Sequence, residues 1–331
     1  MNDATVPPIR EVVPIVPGKP DDFFITCASW EGRCLGLLTK LASYKCKKIL
    51  IFAYKRPNTL REKNLKEMKA TLAKIAPIDV IRTGHENPLG AVKELFDYLG
   101  RGSKRRELRI TWDVSGFTKK HLLVILEAVR LREVVQSFQC YQTEPSIYPV
   151  SGGAGRSRGI SPPKSVELLR GRFFPSKDTA LVIFLGYEGH RAHSLWQNLE
   201  PNRTFIVIPE PAYRRSWTGR TEMQNNLLLS SLPAEVLNRS HSLRAVDTVR
   251  MLEKLLLGEQ RLAERYNIWI APFGTKAQTL GIFWFWSKYP RLVTVVNASP
   301  VIYETSEVYV PPGESWLIGR EVHTADGVEY S

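Results

Sequence analysis

Along the chain, short apolar runs rich in β-branched residues alternate with longer segments whose apolar positions recur every three or four residues. Runs of strand length bounded by turn residues fall at about 22–28, 47–54, 78–83, 108–113 and 134–141, and helix-period stretches lie between them at about 33–44, 60–75, 88–99 and 118–131. The alternation then resumes, with strands expected near 180–186, 203–208, 243–246, 266–271 and 292–297 and helices near 191–198, 220–231, 248–264 and 275–288. Strands that are apolar on both faces and alternate with helices predict parallel sheets covered by helices. The fold class is therefore α/β, with each half a doubly wound, Rossmann-like unit.

The halves also share wording. DVSGFTKKHL at 113–122 and APFGTKAQTL at 271–280 each place a small-residue turn and then Thr-Lys at the mouth of a helix. FFITCASWEGRCLGLL at 23–38 aligns with ALVIFLGYEGHRAHSL at 180–195, so that Glu31-Gly32 falls on Glu188-Gly189. The same separation of 157 positions carries Thr118-Lys119 onto Thr275-Lys276. CYQTEPSIYPV at 140–150 resembles IYETSEVYVPP at 302–312, at a separation of 162. Self-similarity on this scale predicts an internal duplication. The expected organisation is an N-terminal extension over 1–20, a first Rossmann-like domain over 21–150, a linker over 151–178 that begins SGGAGRSRGISPPKS, and a second Rossmann-like domain over 179–331 that ends in a β excursion.

Composition narrows the class of protein. A chain of 331 residues with 43% hydrophobic content suits two soluble domains of roughly 100–200 residues each. No segment approaches the roughly 20 consecutive apolar residues of a membrane span, and the N-terminus lacks the basic and apolar regions of a secretory signal, so a cytoplasmic setting is expected. The cysteines, Cys27, Cys34, Cys46 and Cys140, have no CxxC spacing and read as reduced thiols, with neither a disulfide framework nor a metal site implied. His190 and His193 stand three apart, without a third ligand at suitable spacing. The formal net charge of +13 attracts anionic partners, nucleic acid among them, although each basic cluster, such as KCKK at 45–48 or AYRRSWTGR at 212–220, is also what a solvated loop looks like.

In a doubly wound sheet the ligand lies beyond the carboxyl ends of the strands, where loops run into helix N-termini. The shared motifs occupy those loops: Glu31-Gly32-Arg33 and Glu188-Gly189-His190-Arg191 after the first strand of each half, Asp113 to Lys119 and Pro272 to Lys276 after the fourth. Glycine lets a ligand approach the backbone, free N–H groups and the helix dipole favour an anion, and a lysine in the first turn adds a full charge. These residues suit phosphate. The loop after the second strand differs between halves, and in the second it brings Arg214, Arg215 and Trp217, with Asn225 and Asn226 close by. Arginine clamps phosphate in a bidentate way, tryptophan stacks on bases, and asparagine reads a base edge or a ribose hydroxyl.

On these residues the sequence resembles the CARF domains, Rossmann-fold sensors of cyclic oligonucleotides associated with CRISPR systems. Their Gly-Thr-Lys-like segment after the fourth strand corresponds to Gly274-Thr275-Lys276 and, in looser form, to Gly116-Phe117-Thr118-Lys119. Their ligand loop after the first strand corresponds to Ser29–Arg33 and Gly186–Arg191. CARF domains usually act as two facing copies, and the resemblance implies that the two halves supply both. It implies a sensor of a phosphate-bearing nucleotide signal in prokaryotic antiviral defence, with a ligand site drawn from Glu31, Arg33, Ser115, Thr118, Lys119, Glu188, Arg191, Arg214, Trp217, Gly274, Thr275 and Lys276, no cofactor or metal, and an effector protein as partner. Two alternatives stand beside it: a metal-independent phosphodiesterase acting on such a ligand by in-line attack of a ribose hydroxyl, and a basic scaffold subunit that binds nucleic acid. Thr118 and Thr275 are also what plain N-caps look like.

Overall fold

The computed structural model of the chain describes residues 6–56, 58–100, 107–133, 135–147, 157–303, 311–324 and 327–331. The first apolar run becomes β1 (Asp21–Ala28), in which Phe24, Ile25, Cys27 and Ala28 are fully buried. A 3-10 helix over Gly32–Lys40 leads to β2 (Cys46–Tyr54), and α1 (Thr59–Leu72), β3 (Ile78–Thr83), α2 (Leu89–Leu99), β4 (Leu108–Asp113), α3 (Lys119–Leu131) and β5 (Val135–Pro145) complete the alternation. Leu122 to Val129 of α3 are all buried, so this helix is covered on every side.

Two short pieces, β6 (Ser157–Arg158) and β7 (Lys164–Ser165), precede the second run of elements. It comprises β8 (Thr179–Phe184), α4 (Gly189–Leu199), β9 (Arg203–Pro209), α5 (Ser216–Gln224), α6 (Asn226–Leu229), β10 (Leu237–Ser240), α7 (Ala245–Leu257), α8 (Leu262–Arg265), β11 (Asn267–Pro272), α9 (Lys276–Lys288) and β12 (Val293–Asn297). The chain ends with β13 (Ile302–Tyr303), β14 (Pro312–Thr324) and β15 (Gly327–Tyr330).

These elements form two compact units. One sheet runs β3-β2-β1-β4-β5-β14-β15 and the other β10-β9-β8-β11-β12-β7. The first five strands of each sheet are parallel and follow one order, the third, second, first, fourth and fifth of their half. Both units are thus Rossmann-like α/β folds, as the alternation predicts.

The boundaries differ from those expected. The N-terminal segment packs on the first unit: Val12 is fully buried, its N–H donates to Lys40 O at 2.9 Å, and Gln139 Nε2 donates to Val13 O at 2.7 Å. The strands β14 and β15, assigned from sequence to the second domain, belong to the first sheet, whereas β13 pairs with β6. β14 pairs antiparallel with β5 and buries Trp316 and Ile318, which covers an edge that β5 would otherwise expose. Part of the expected linker, 151–156, lies outside the described residues, but its remainder packs on the second unit. There β7 pairs antiparallel with β12, and Asn267 takes the N–H of Phe174 at 2.8 Å and donates to Lys177 O at 2.7 Å.

The strand expected at 243–246 is instead the entry to α7, and β10 lies earlier. LNRS is a polar, half-exposed edge strand without the apolar run that marks its neighbours, so periodicity passes over it. All four cysteines are buried thiols outside any disulfide, and burial pushes those of Cys34 and Cys46 up to about 12, which leaves them unreactive. Among the described residues no helix is long and apolar enough to cross a membrane.

Two helical glycines give a contrast that checks this packing. A Cβ on Gly281 of α9 would lie 2.3 Å from Ala245 O and 2.5 Å from Thr248 Cβ of α7, whereas one on Gly219 of α5 would meet nothing within 4 Å. Gly281→Ala should destabilise the second unit by about 1–3 kcal/mol through overpacking. Gly219→Ala should stabilise it by roughly 0.5–1 kcal/mol through helix propensity. Urea unfolding of the two variants checks both signs.

Candidate functional site

Strand order reverses between β1 and β4 in the first sheet and between β8 and β11 in the second, so each unit has one topological switch point. The shared motifs sit there. In the first unit the carboxyl end of β1 runs into Ser29, Trp30 and Glu31, and that of β4 runs into Val114–Thr118. The loop after β4 touches the end of β1 at the backbone: a Cβ on Gly116 would fall 1.9 Å from Cys27 O. In the second unit the same approach is made from the other side, where a Cβ on Gly186, after β8, would fall 2.0 Å from Phe273 O, after β11. Only glycine fits at either place.

Buried polar groups set the loop that follows β4. Asp113, wholly buried, accepts from Thr26 Oγ1 at 3.1 Å through one oxygen and from the N–H and hydroxyl of Ser115, at 3.0 and 2.5 Å, through the other. The Ser115 oxygen also accepts the N–H of Thr143 at 2.8 Å, so Ser115, itself wholly buried, ties this loop to β5. Thr118 is the N-cap of α3: its Oγ1 accepts the N–H of His121 at 3.2 Å and lies 2.7 Å from His121 Nδ1. His121 Nε2 lies 2.9 Å from Gly84 O, a carbonyl that can only accept. That fixes the tautomer, with the proton on Nε2 and the Thr118 hydroxyl donating to Nδ1. Burial pushes the imidazole down to about 3, so His121 is neutral and holds the helix entrance to the end of β3.

In the second unit Thr275 caps α9 with a capping box. It accepts Gln278 N–H at 3.2 Å, its own N–H donates to Gln278 Oε1 at 3.0 Å, and its hydroxyl donates to Ser242 O at 2.6 Å. Gly274 makes room for that box, since a Cβ there would lie 2.1 Å from Gln278 Oε1. Each of these helices opens with lysine and has no acidic residue in its first turn. Lys119 is half-buried, and Lys276 is only 6% exposed.

The loops after β1 and β8 carry matching ion pairs. Arg33 donates to Glu31 Oε2 through Nε at 2.9 Å and Nη2 at 2.5 Å, and Arg191 pairs with Glu188 at 2.9 Å. Arg191 also donates to Ala298 O at 2.8 Å and lies over the Phe273 ring at 5.2 Å, which brings it to the β11 side of the switch point. Arg214 and Trp217 stand beyond β9, one strand away, where Arg214 covers the Tyr213 and Trp217 rings at 5.7 and 5.3 Å. The twelve sequence-selected residues therefore fall into two groups of loops, one per unit, each at the carboxyl edge of its sheet.

Of Asn225 and Asn226, either of which the sequence offers as a reader of a base edge or ribose hydroxyl, Asn225 uses its amide to donate to Gly186 O at 2.9 Å and Thr221 O at 2.8 Å. Asn64 in α1 does the same work in the first unit, donating to Ser29 O at 2.8 Å. Both asparagines are about 1% exposed, and each clamps the loop after the first strand of its unit. Arg61, Tyr54 and His121 also escaped selection, because nothing local in the sequence marks a buried arginine or histidine.

His190 is exposed and His193 packs beside Trp196 at 5.9 Å. Among the described residues, no group of three His, Cys, Asp or Glu side chains is placed to hold a metal ion. No protein-family model matches the chain, and a comparison with curated proteins gives no match.

The neutrality of His121 yields a pH dependence. An unfolded histidine titrates near 6.5 and the folded one near 3, so between these values the unfolded state binds the extra proton. Stability is then fully present above pH 6.5 and falls as pH drops toward 3, with a slope of about 1.4 kcal/mol per pH unit from this one group. His121→Gln should remove about one proton from the difference between unfolded and folded states over pH 4–6. Urea unfolding at stepped pH, on the parent and the variant, measures that difference in slope.

Proposed function

We propose that the protein is a binding module for a phosphate-bearing nucleotide, held at the switch-point loops, in the manner of the CARF-like sensors of cyclic oligonucleotides that its motifs resemble. The observation that carries this reading is electrostatic. In each unit the helix that starts at the switch point opens with lysine and has no acid in its first turn. A helix N-terminus carries about half a positive charge and stabilises anions, so a cation there works against the helix and is out of place as a stability device. The same lysine is well placed if the loop receives a phosphate, which the helix end and the ammonium then bind together.

On this reading Lys119 and Lys276 are the principal phosphate ligands. Thr118, Ser115, Gly274 and Thr275 hold the loops in shape, and the Glu31–Arg33 and Glu188–Arg191 pairs form the walls. Arg214 and Trp217 offer a stacking surface for a base beyond β9. The two units arose by duplication: their common strand order, reciprocal glycine contacts and paired Asn64 and Asn225 clamps support that history.

Mass spectrometry of small molecules carried through purification tests the proposal most directly, with a nucleotide expected. In titrations with cyclic oligoadenylates, Lys119→Ala and Lys276→Ala should each weaken binding by about 1–3 kcal/mol, the range for a charge-assisted hydrogen bond. A parent protein that carries no nucleotide and binds none of these ligands overturns the reading.

A further inference from the structure

The crevice of the first unit holds an arginine that neither its motifs nor its ion pairs account for. Arg61, in the first turn of α1, is only 4% exposed, yet its hydrogen bonds run to backbone carbonyls alone: Nη1 donates to Tyr54 O at 3.1 Å and, closer still, to Arg56 O. Nε is buried and without a hydrogen-bond partner among the described residues. The guanidinium lies over the Tyr54 ring at 5.6 Å. Burial lowers its proton affinity, the sign of a charge removed from water. A buried cation is ordinarily matched by a carboxylate, because carbonyl dipoles offset only part of the lost hydration.

Its position joins it to the switch point. Asn64, one helical turn further along the same face of α1, holds Ser29 O in the loop after β1. The Tyr54 hydroxyl accepts the N–H of Thr118, the cap of α3. His85 packs against the Tyr54 ring at a tilt, with centroids 4.9 Å apart, and its side chain is 26% exposed. Two other cations near the switch point are engaged: Arg33 with Glu31, and Lys120 with Glu86 O at 2.8 Å.

We propose that Arg61, beside Tyr54 and His85, is a phosphate-recognising group of the first unit's switch point, its buried and unpartnered Nε the donor left for an oxyanion. A guanidinium edge of this kind fits a phosphate through two parallel hydrogen bonds. The inference rests on the nucleotide reading and deepens it by making the two crevices unequal. In the second unit Asn225 occupies the place of Asn64, and three residues before it stands Glu222, 3.7 Å from Arg239. At this place the second unit therefore presents an ion-paired carboxylate where the first presents a guanidinium. The phosphate of an asymmetric or half-occupied ligand accordingly goes to the first unit.

The test uses inorganic pyrophosphate on the full chain, with sodium chloride at matched ionic strength as control. Calorimetry should detect pyrophosphate binding to the parent, roughly tenfold or more weaker binding to Arg61→Gln, and an intermediate loss in Arg61→Lys, which keeps the charge but not the fork. Equal binding by parent and Arg61→Gln, or no pyrophosphate binding by the parent, overturns the inference. If Arg61→Gln fails to fold, parent crystals soaked in selenate decide the matter: an anomalous peak within hydrogen-bonding reach of the Arg61 guanidinium supports the site, and its absence removes it. The nucleotide reading fails separately. A co-purified nucleotide whose binding depends on Lys119 or Lys276 but not on Arg61 keeps that reading and discards this one.

Discussion

Everything at the two candidate sites depends on how closely two loops approach across a switch point. Parallel strands that neighbour each other at the reversal of strand order send their carboxyl ends in the same direction, and the loops that follow must diverge or touch. Here the backbones touch, with room only for glycine at the contact: Gly116 against Cys27 at the end of β1 in the first unit, Gly186 against Phe273, loop to loop, in the second. The approach closes off the space directly above the strands. It also fixes where α3 and α9 begin, and so where their capping threonines and leading lysines stand. A residue with a side chain at either glycine would push apart the loops that any shared ligand must bridge.

The two contacts are reciprocal and not identical, which explains why the motifs were only partly readable. Aligned at the common separation, Gly116 matches Phe273, while Gly186 matches Ser29. Each unit thus keeps one glycine at the crossing but places it on a different loop. The glycine of GTK is a third case: Gly274 aligns with Phe117, which is 3% exposed and packs 5.2 Å from Phe52, and Gly274 itself clears space for the Gln278 capping box. Similar letters at similar places therefore serve different physical ends. What the Thr-Lys repeat marked correctly is the start of a helix at the switch point, because an N-cap and its helix are local and the sequence encodes them locally.

The same division separates the parts of the fold that were legible from those that were not. Buried parallel strands announce themselves as apolar runs, and nine of the ten main strands lie where those runs fall. The tenth, β10, is a polar edge strand whose assignment comes from pairing with β9 and not from its own composition. The placement of β14 beside β5 is likewise a long-range choice. Its residues, assigned from sequence to the second half, bury Trp316 and Ile318 against a sheet edge formed more than 150 positions earlier. Tertiary pairing of this kind leaves no periodic trace at the assigned boundary.

Charge follows the same logic and gives the sites their direction. A net charge of +13 indicates affinity for anions without saying where they bind. The structure sorts the cations near the switch points into three kinds. Arg33 and Arg191 are matched by glutamates within their own loops, so they add little net field. Lys119 and Lys276 sit at helix N-termini, where the backbone dipole already favours an anion. Arg61 is buried against carbonyl oxygens and an aromatic face, where the low dielectric strengthens any interaction it makes. A basic loop on the surface attracts polyanions of every sort. Cations seated at helix ends and beside buried carbonyls favour a small anion over a polymer, and on the proposed reading that anion is a phosphate group.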